Sequence, residues 1–272
     1  MSKTSRAKFA ATVRAVEPDV ALAALMIAAE VHPDVAVDAV TARLETLGAA
    51  VSAELQPDSS AYAQAVALRA VLGDREGFRG YGDDYADLRA SLLPEVVTRR
   101  RGLPILLSVV YTEVARHAGI PAHGIGVPGH FVVGIGETLN PTLLDPFVGG
   151  RLTTLAELSA RVTEAGGAPL SVRDLAPWHP LLVITRILNN IRGHAARSGD
   201  VRTRLWAADL ALLLPNHPAA LRRERGELRA RLGDYLGSAT DLLEYADAVA
   251  LVDEDAAKRA AADAKLVRSR LN

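Results

Sequence analysis

Residues 102–131 read GLPILLSVVYTEVARHAGIPAHGIGVPGHF, and the fold turns on how this stretch is interpreted. Pro104 suits the first turn of a helix, where a missing N–H costs nothing, and the pattern predicts a helix over Leu103–Ala118. Its first half (Leu103, Ile105, Leu106, Leu107, Val109, Val110, Tyr111) is apolar on every side. A helix with no polar face belongs in an interior, so this is the expected central helix of a domain. Gly119 stops it. The chain then passes into short apolar runs between glycine and proline, Ala122–Val127, Phe131–Ile135 and Thr142–Leu144, which read as strands.

On the N-terminal side, small and apolar residues recur at helical intervals from Ala21 to about Leu72, with a break at Pro33. Gly73–Gly82 holds four glycines in ten residues and is expected to be a non-helical connection. Short helices are expected over Asp84–Val97 and Thr154–Ala165. Beyond Pro180 everything reads as helix. There the phrase Arg197-Ser-Gly199-Asp200 recurs as Arg231-Leu-Gly233-Asp234, an offset of 34 residues, which is the tetratricopeptide period. The expected class is therefore α+β: a helical N-terminal region, then a core of one buried helix and a small antiparallel sheet, within residues 1–176, and a helical repeat domain over 177–272.

Composition excludes several functions. The 272 residues include no cysteine, which removes disulfides, thiolate metal sites and any mechanism that attacks through a protein thiol. Hydrophobic residues at 49% supply a core, and a net charge of −1 gives no field that would draw nucleic acid or an anionic membrane. The longest apolar runs, Ala21–Val31 and Leu103–Tyr111, fall short of the roughly 18–20 residues of a spanning helix. The first twenty residues carry scattered charge and no continuous apolar segment, so a cytoplasmic location is expected.

Chemistry concentrates on His130 and Asp145. If the second and third strands form a hairpin turning between Glu137 and Thr138, the two residues face each other with Cβ atoms about 5 Å apart, and a two-residue slip leaves them diagonal. A carboxylate beside an imidazole fixes its orientation, as in nucleophile–base–orienter sites. Ser108 is the nearest hydroxyl on the central helix, and it is expected to bond the carbonyl four residues back rather than act as a nucleophile. His117, His123, His130 and Asp145 are ligand-type side chains without ligand spacing, so no metal and no cofactor are expected. Arg99-Arg100-Arg101 reads as a helix end, and the basic run Arg222–Arg231, interleaved with Glu224 and Glu227, as a water-facing surface with intrahelical pairs.

Gly102-Leu-Pro-Ile-Leu-Leu-Ser108, Ala115-Arg-His-Ala-Gly-Ile-Pro121 and Val127-Pro-Gly-His-Phe131 resemble the SirB-type transglutaminase-like family, as do Gly77-Phe-Arg-Gly80, Tyr85 and Arg101. The resemblance spans about residues 20–250 and implies a papain-like core followed by tetratricopeptide repeats. It implies that His130 and Asp145 stand at the catalytic His and Asp, that the cysteine position falls at Pro104 or Ile105, and that Arg101, Tyr111 and Phe131 line the site. Ala90-Ser91 is a second departure, where the family usually carries Asn-Ser. The expected function is a non-catalytic transglutaminase-like protein that binds a protein or peptide partner. The alternative is a cysteine-independent hydrolase or acyl-transfer enzyme working through His130 and Asp145 with Ser108 or water.

Overall fold

A computed structural model describes residues 3–271, and packing divides them into two units, one running Glu17–Ile187 and one joining the chain before Glu17 to Leu188 onward. In the first unit the helices are α2 (Val20–Ala28), α3 (Val37–Ser52), α4 (Ala61–Leu68), α5 (Leu93–Arg99), α6 (Pro104–His117), α7 (Leu155–Glu164) and the first turns of α8 (Pro180–Ser198). The second unit holds α1 (Lys3–Val13), the rest of α8, α9 (Val201–Ala211), α10 (Ala220–Arg231), α11 (Tyr235–Val249) and α12 (Glu254–Arg268). Against the expected division at 176/177, α1 joins the C-terminal helices: Phe9 and Val13 are buried, and Arg6 pairs with Asp209 at 3.1 Å.

The predicted central helix is α6. Every residue from Pro104 to Tyr111 is buried, so the removal of its Leu, Ile and Val side chains from water contributes about 1.5–3 kcal/mol each. Beside it lies one antiparallel sheet in the order β1 (Ala122–Val127), β2 (His130–Ile135), β3 (Thr142–Asp145) and β4 (Arg151–Thr153). β2 is buried along its whole length, as a central strand covered on both faces must be. One of those faces packs Ile125, Val127, Val132 and Leu143 against Leu158 and Val162 of α7 and against Leu175.

Three local expectations need correction. Gly73 lies inside a π-helical stretch, Arg69–Arg75, that continues α4. The glycine is there because a Cβ would collide with the Gly149 carbonyl; close tertiary approach, not local flexibility, selects it. The predicted helix over Asp84–Val97 is two 3₁₀ turns, Gly82–Ala86 and Leu88–Ser91, followed by α5, with Pro94 starting the regular helix. The basic run on α10 is not simply water-facing. Arg223 does pair with Glu227 one turn on, but Arg225 and Arg229 reach α11 and share the fully buried Asp241.

The 34-residue offset is realised as repeated geometry. Gly199 and Gly233 both have positive φ (72° and 85°), and Asp200 and Asp234 each follow as the N-cap of the next helix. The matching Asp N–H groups bond the carbonyls of Ala195 and Arg229, themselves 34 residues apart. Among the described residues no helix is long and apolar enough to cross a membrane.

Candidate active site

The site is built on a hairpin and the turn that follows the next strand. Val127 pairs with His130 across Pro128-Gly129, where Gly129 takes φ 72°, the left-handed position that such a turn needs after proline. This tight turn starts β2 at His130, one residue earlier than its apolar run suggests. β2 and β3 pair Val133 with Leu144 and Ile135 with Thr142. Continued outward, that register sets Asp145 opposite Val132, so His130 is its diagonal neighbour, two residues from the directly opposed pairing. Ile135 pairs with Thr142, so the turn is centred between Thr138 and Leu139, one position beyond the expected Glu137–Thr138 centre.

The diagonal arrangement brings the two side chains together. His130 Nε2 lies 2.9 Å from Asp145 Oδ2, with His130 only 6% and Asp145 0% exposed. Burial alone would raise the Asp145 carboxyl, but the His130 hydrogen bond and charge, with Arg161, outweigh it and hold the group below the ordinary carboxylate range. An ionised carboxylate only accepts, so Nε2 carries the proton of this bond. Nδ1 makes no hydrogen bond among the described residues and is the nitrogen left for proton transfer.

Asp145 has further partners. Its Oδ1 accepts the Phe147 N–H at 3.1 Å, capping the 3₁₀ turn Pro146–Val148, and Arg161 of α7 donates to Oδ2 at 3.2 Å. Phe147 meets the His130 ring edge-to-face with centroids 6.0 Å apart, and Tyr85 meets Phe147 at 6.1 Å. The same turn is tied to the start of α6: Gly80 bonds the Phe147 carbonyl, and a Cβ at Gly80 would run into both the Phe147 ring and the Gly102 carbonyl. Burial raises the Tyr85 phenol, and Arg186 and Arg161 pull the other way.

The remaining candidates lie as follows. Ser108 is buried and its hydroxyl has no hydrogen-bond partner among the described residues, so the expected bond to the Pro104 carbonyl is not made. Tyr111 is fully buried, with an unpartnered hydroxyl against Gly150 and a phenol raised far above its usual value by burial. Phe131 packs edge-to-face on Trp178 at 5.4 Å, on the face of β2 opposite His130. Arg101 is committed to Asp84 (2.8 Å) and Asp83 (2.9 Å) and lies over the Tyr81 ring. His117 pairs with Glu113, and His123 of β1 sits against Gly134 of β2, where burial lowers the His123 pKa. Sequence reasoning missed Arg161, Phe147 and the contact of Tyr85 with Phe147. Arg161 lies sixteen positions from Asp145 on an ordinary amphipathic helix and gives no local signal.

Comparison with known proteins agrees with this architecture. Residues 38–189 match the transglutaminase-like superfamily and residues 191–272 the tetratricopeptide repeat. A UPF0162 protein of Xylella fastidiosa is 34% identical over 228 residues, covering 82% of this chain and 81% of its own. A UPF0162 protein of Pseudomonas aeruginosa is 31% identical over 212 residues, covering 77% of each chain. F-box only protein 21 of Mus musculus is 29% identical over 184 residues, which are 63% of this chain and 28% of that protein.

Proposed function

Because the chain belongs to the transglutaminase-like superfamily and to the UPF0162 proteins, yet contains no cysteine, we propose that it is a non-catalytic member that binds a peptide or protein partner. The supporting observation is the coexistence of a buried, hydrogen-bonded His130–Asp145 pair with a chain that holds no thiol. Where the resemblance implies the cysteine stand Pro104 and Ile105, both buried and neither able to attack a carbonyl. Asp145 holds the imidazole, Nδ1 is able to accept a proton, and no thiol is present to give one. The exposed rings of Tyr81 and Tyr85, with Phe147 beside the imidazole, supply contact surface of the type enriched at interfaces. The tetratricopeptide repeats offer a second recognition surface.

Incubation with an activated ester and with a glutamine-amide donor plus an amine tests this reading. The expected result is no turnover above buffer, identical in wild type and His130→Ala. Turnover lost in His130→Ala overturns it and supports the alternative, a hydrolase using water or Ser108. That alternative draws on the unbonded Nδ1 and the unpartnered Ser108 hydroxyl, and Ser108→Ala then separates serine from water as the nucleophile.

A further inference from the structure

A second candidate site lies away from the His130 corner, between α3 and α5. It is a groove of about 620 Å³, within the roughly 300–1,000 Å³ of ordinary ligand sites. Val35, Ala36, Ala39 and Val40 form one wall and Pro94 and Val97 the other. Two guanidiniums stand at one end and converge on a single carboxylate oxygen: Arg43 reaches Glu76 Oε2 at 2.6 Å and Arg100 reaches the same atom at 3.4 Å. Two cations sharing one anion leave a net positive charge, and both keep N–H donors to spare. Arg100 is also one of the non-glycine residues with positive φ (58°), fixed by its own N–H on Val96 and by its carbonyl accepting from Arg79. That conformation is costly for arginine, and it closes α5 with the Arg100 side chain at the same end of the groove as Arg43.

The other end is polar too: His32 pairs with Glu95 at 3.3 Å, and Thr98 stands beside them. A plain alkyl chain would cover Thr98 and the spare carboxylate oxygen of Glu95 without bonding them, whereas a peptide backbone offers donors and acceptors. Along α3, Ala36 to Arg43 spans about 10 Å, the length of about three extended residues. We propose that this groove captures the carboxy-terminal residues of a peptide partner, with small aliphatic side chains on the α3–α5 walls and the terminal carboxylate on Arg43 and Arg100. The site is independent of the His130 corner and of whether that corner is catalytic.

Fluorescence polarisation of the full chain with fluorescein-Gly-Gly-Leu-Val-Val tests it. The free-acid peptide is expected to bind, and its C-terminal amide to bind about tenfold more weakly. Arg100→Gly should cost a similar factor without unfolding the protein, since glycine relieves the left-handed backbone. Ala39→Phe should block the groove, and His130→Ala should leave binding unchanged. Equal binding of acid and amide, no binding of the acid, or an unaffected Arg100→Gly overturns the proposal. Binding of octanoate in place of the peptide also overturns it, assigning the groove to a small aliphatic carboxylate.

Discussion

Asp145 and Asp241 are both fully buried carboxylates held by partners from neighbouring elements, and their partners differ in kind. Asp241 sits between two guanidiniums, Arg225 and Arg229, from α10. Guanidiniums keep their charge at every physiological pH, so this cluster is a fixed clamp between α10 and α11. Asp145 instead takes an imidazole and one partly exposed arginine, and the imidazole keeps a nitrogen unbonded. The imidazole is oriented from one side only, through its Nε2. Two buried aspartates of equal depth therefore mark different things: one locks helices together, the other orients an imidazole whose second nitrogen stays unbonded.

The comparison breaks first at the clamp. Asp241→Ala removes the buried anion that Arg225 and Arg229 share, leaving them Asp209 and Asp234, and should cost about 3 kcal/mol in denaturant unfolding; a loss below about 1 kcal/mol would remove the clamp. Asp145→Asn removes a charged acceptor from two donors and should cost about 2 kcal/mol at neutral pH. Its pH dependence sharpens the contrast. The folded Asp145 carboxyl is held below its ordinary value, so its contribution is complete above about pH 4 and is lost as pH falls through the folded value. The stability gap between wild type and Asp145→Asn should therefore close in acid, and a gap that widens there would contradict the assignment. Smaller effects come from the unpartnered hydroxyls: Tyr111→Phe should be neutral or stabilise by up to about 1 kcal/mol, and Ser108→Ala should shift thermal stability less. Clear destabilisation by either would show that its hydroxyl has a partner.

Much of this was legible in the chain. The apolar first half of α6, the Gly-Asp turns of the repeats and the His130–Asp145 contact all follow from short-range patterns that packing then obeys. The register of β2 on β3 differs by two residues because the turn is centred one position later, between Thr138 and Leu139, and the contact survives because diagonal neighbours on one face still touch. β4 was missed because three residues, Arg151–Thr153, carry no alternation to read. Gly73 was misread because its reason lies across space, at Gly149. The placement of α1 with the C-terminal helices and of Arg161 on Asp145 rests on tertiary contacts that no local spacing encodes.

The proton on the His130 ring tests the central claim most directly. Long-range ¹⁵N–¹H NMR of the neutral imidazole should show the proton on Nε2 and Nδ1 as the bare nitrogen, with that Nε2–H signal shifted or lost in Asp145→Ala. A ring protonated on Nδ1, or one whose spectrum ignores the loss of Asp145, would mean that the carboxylate does not orient the base.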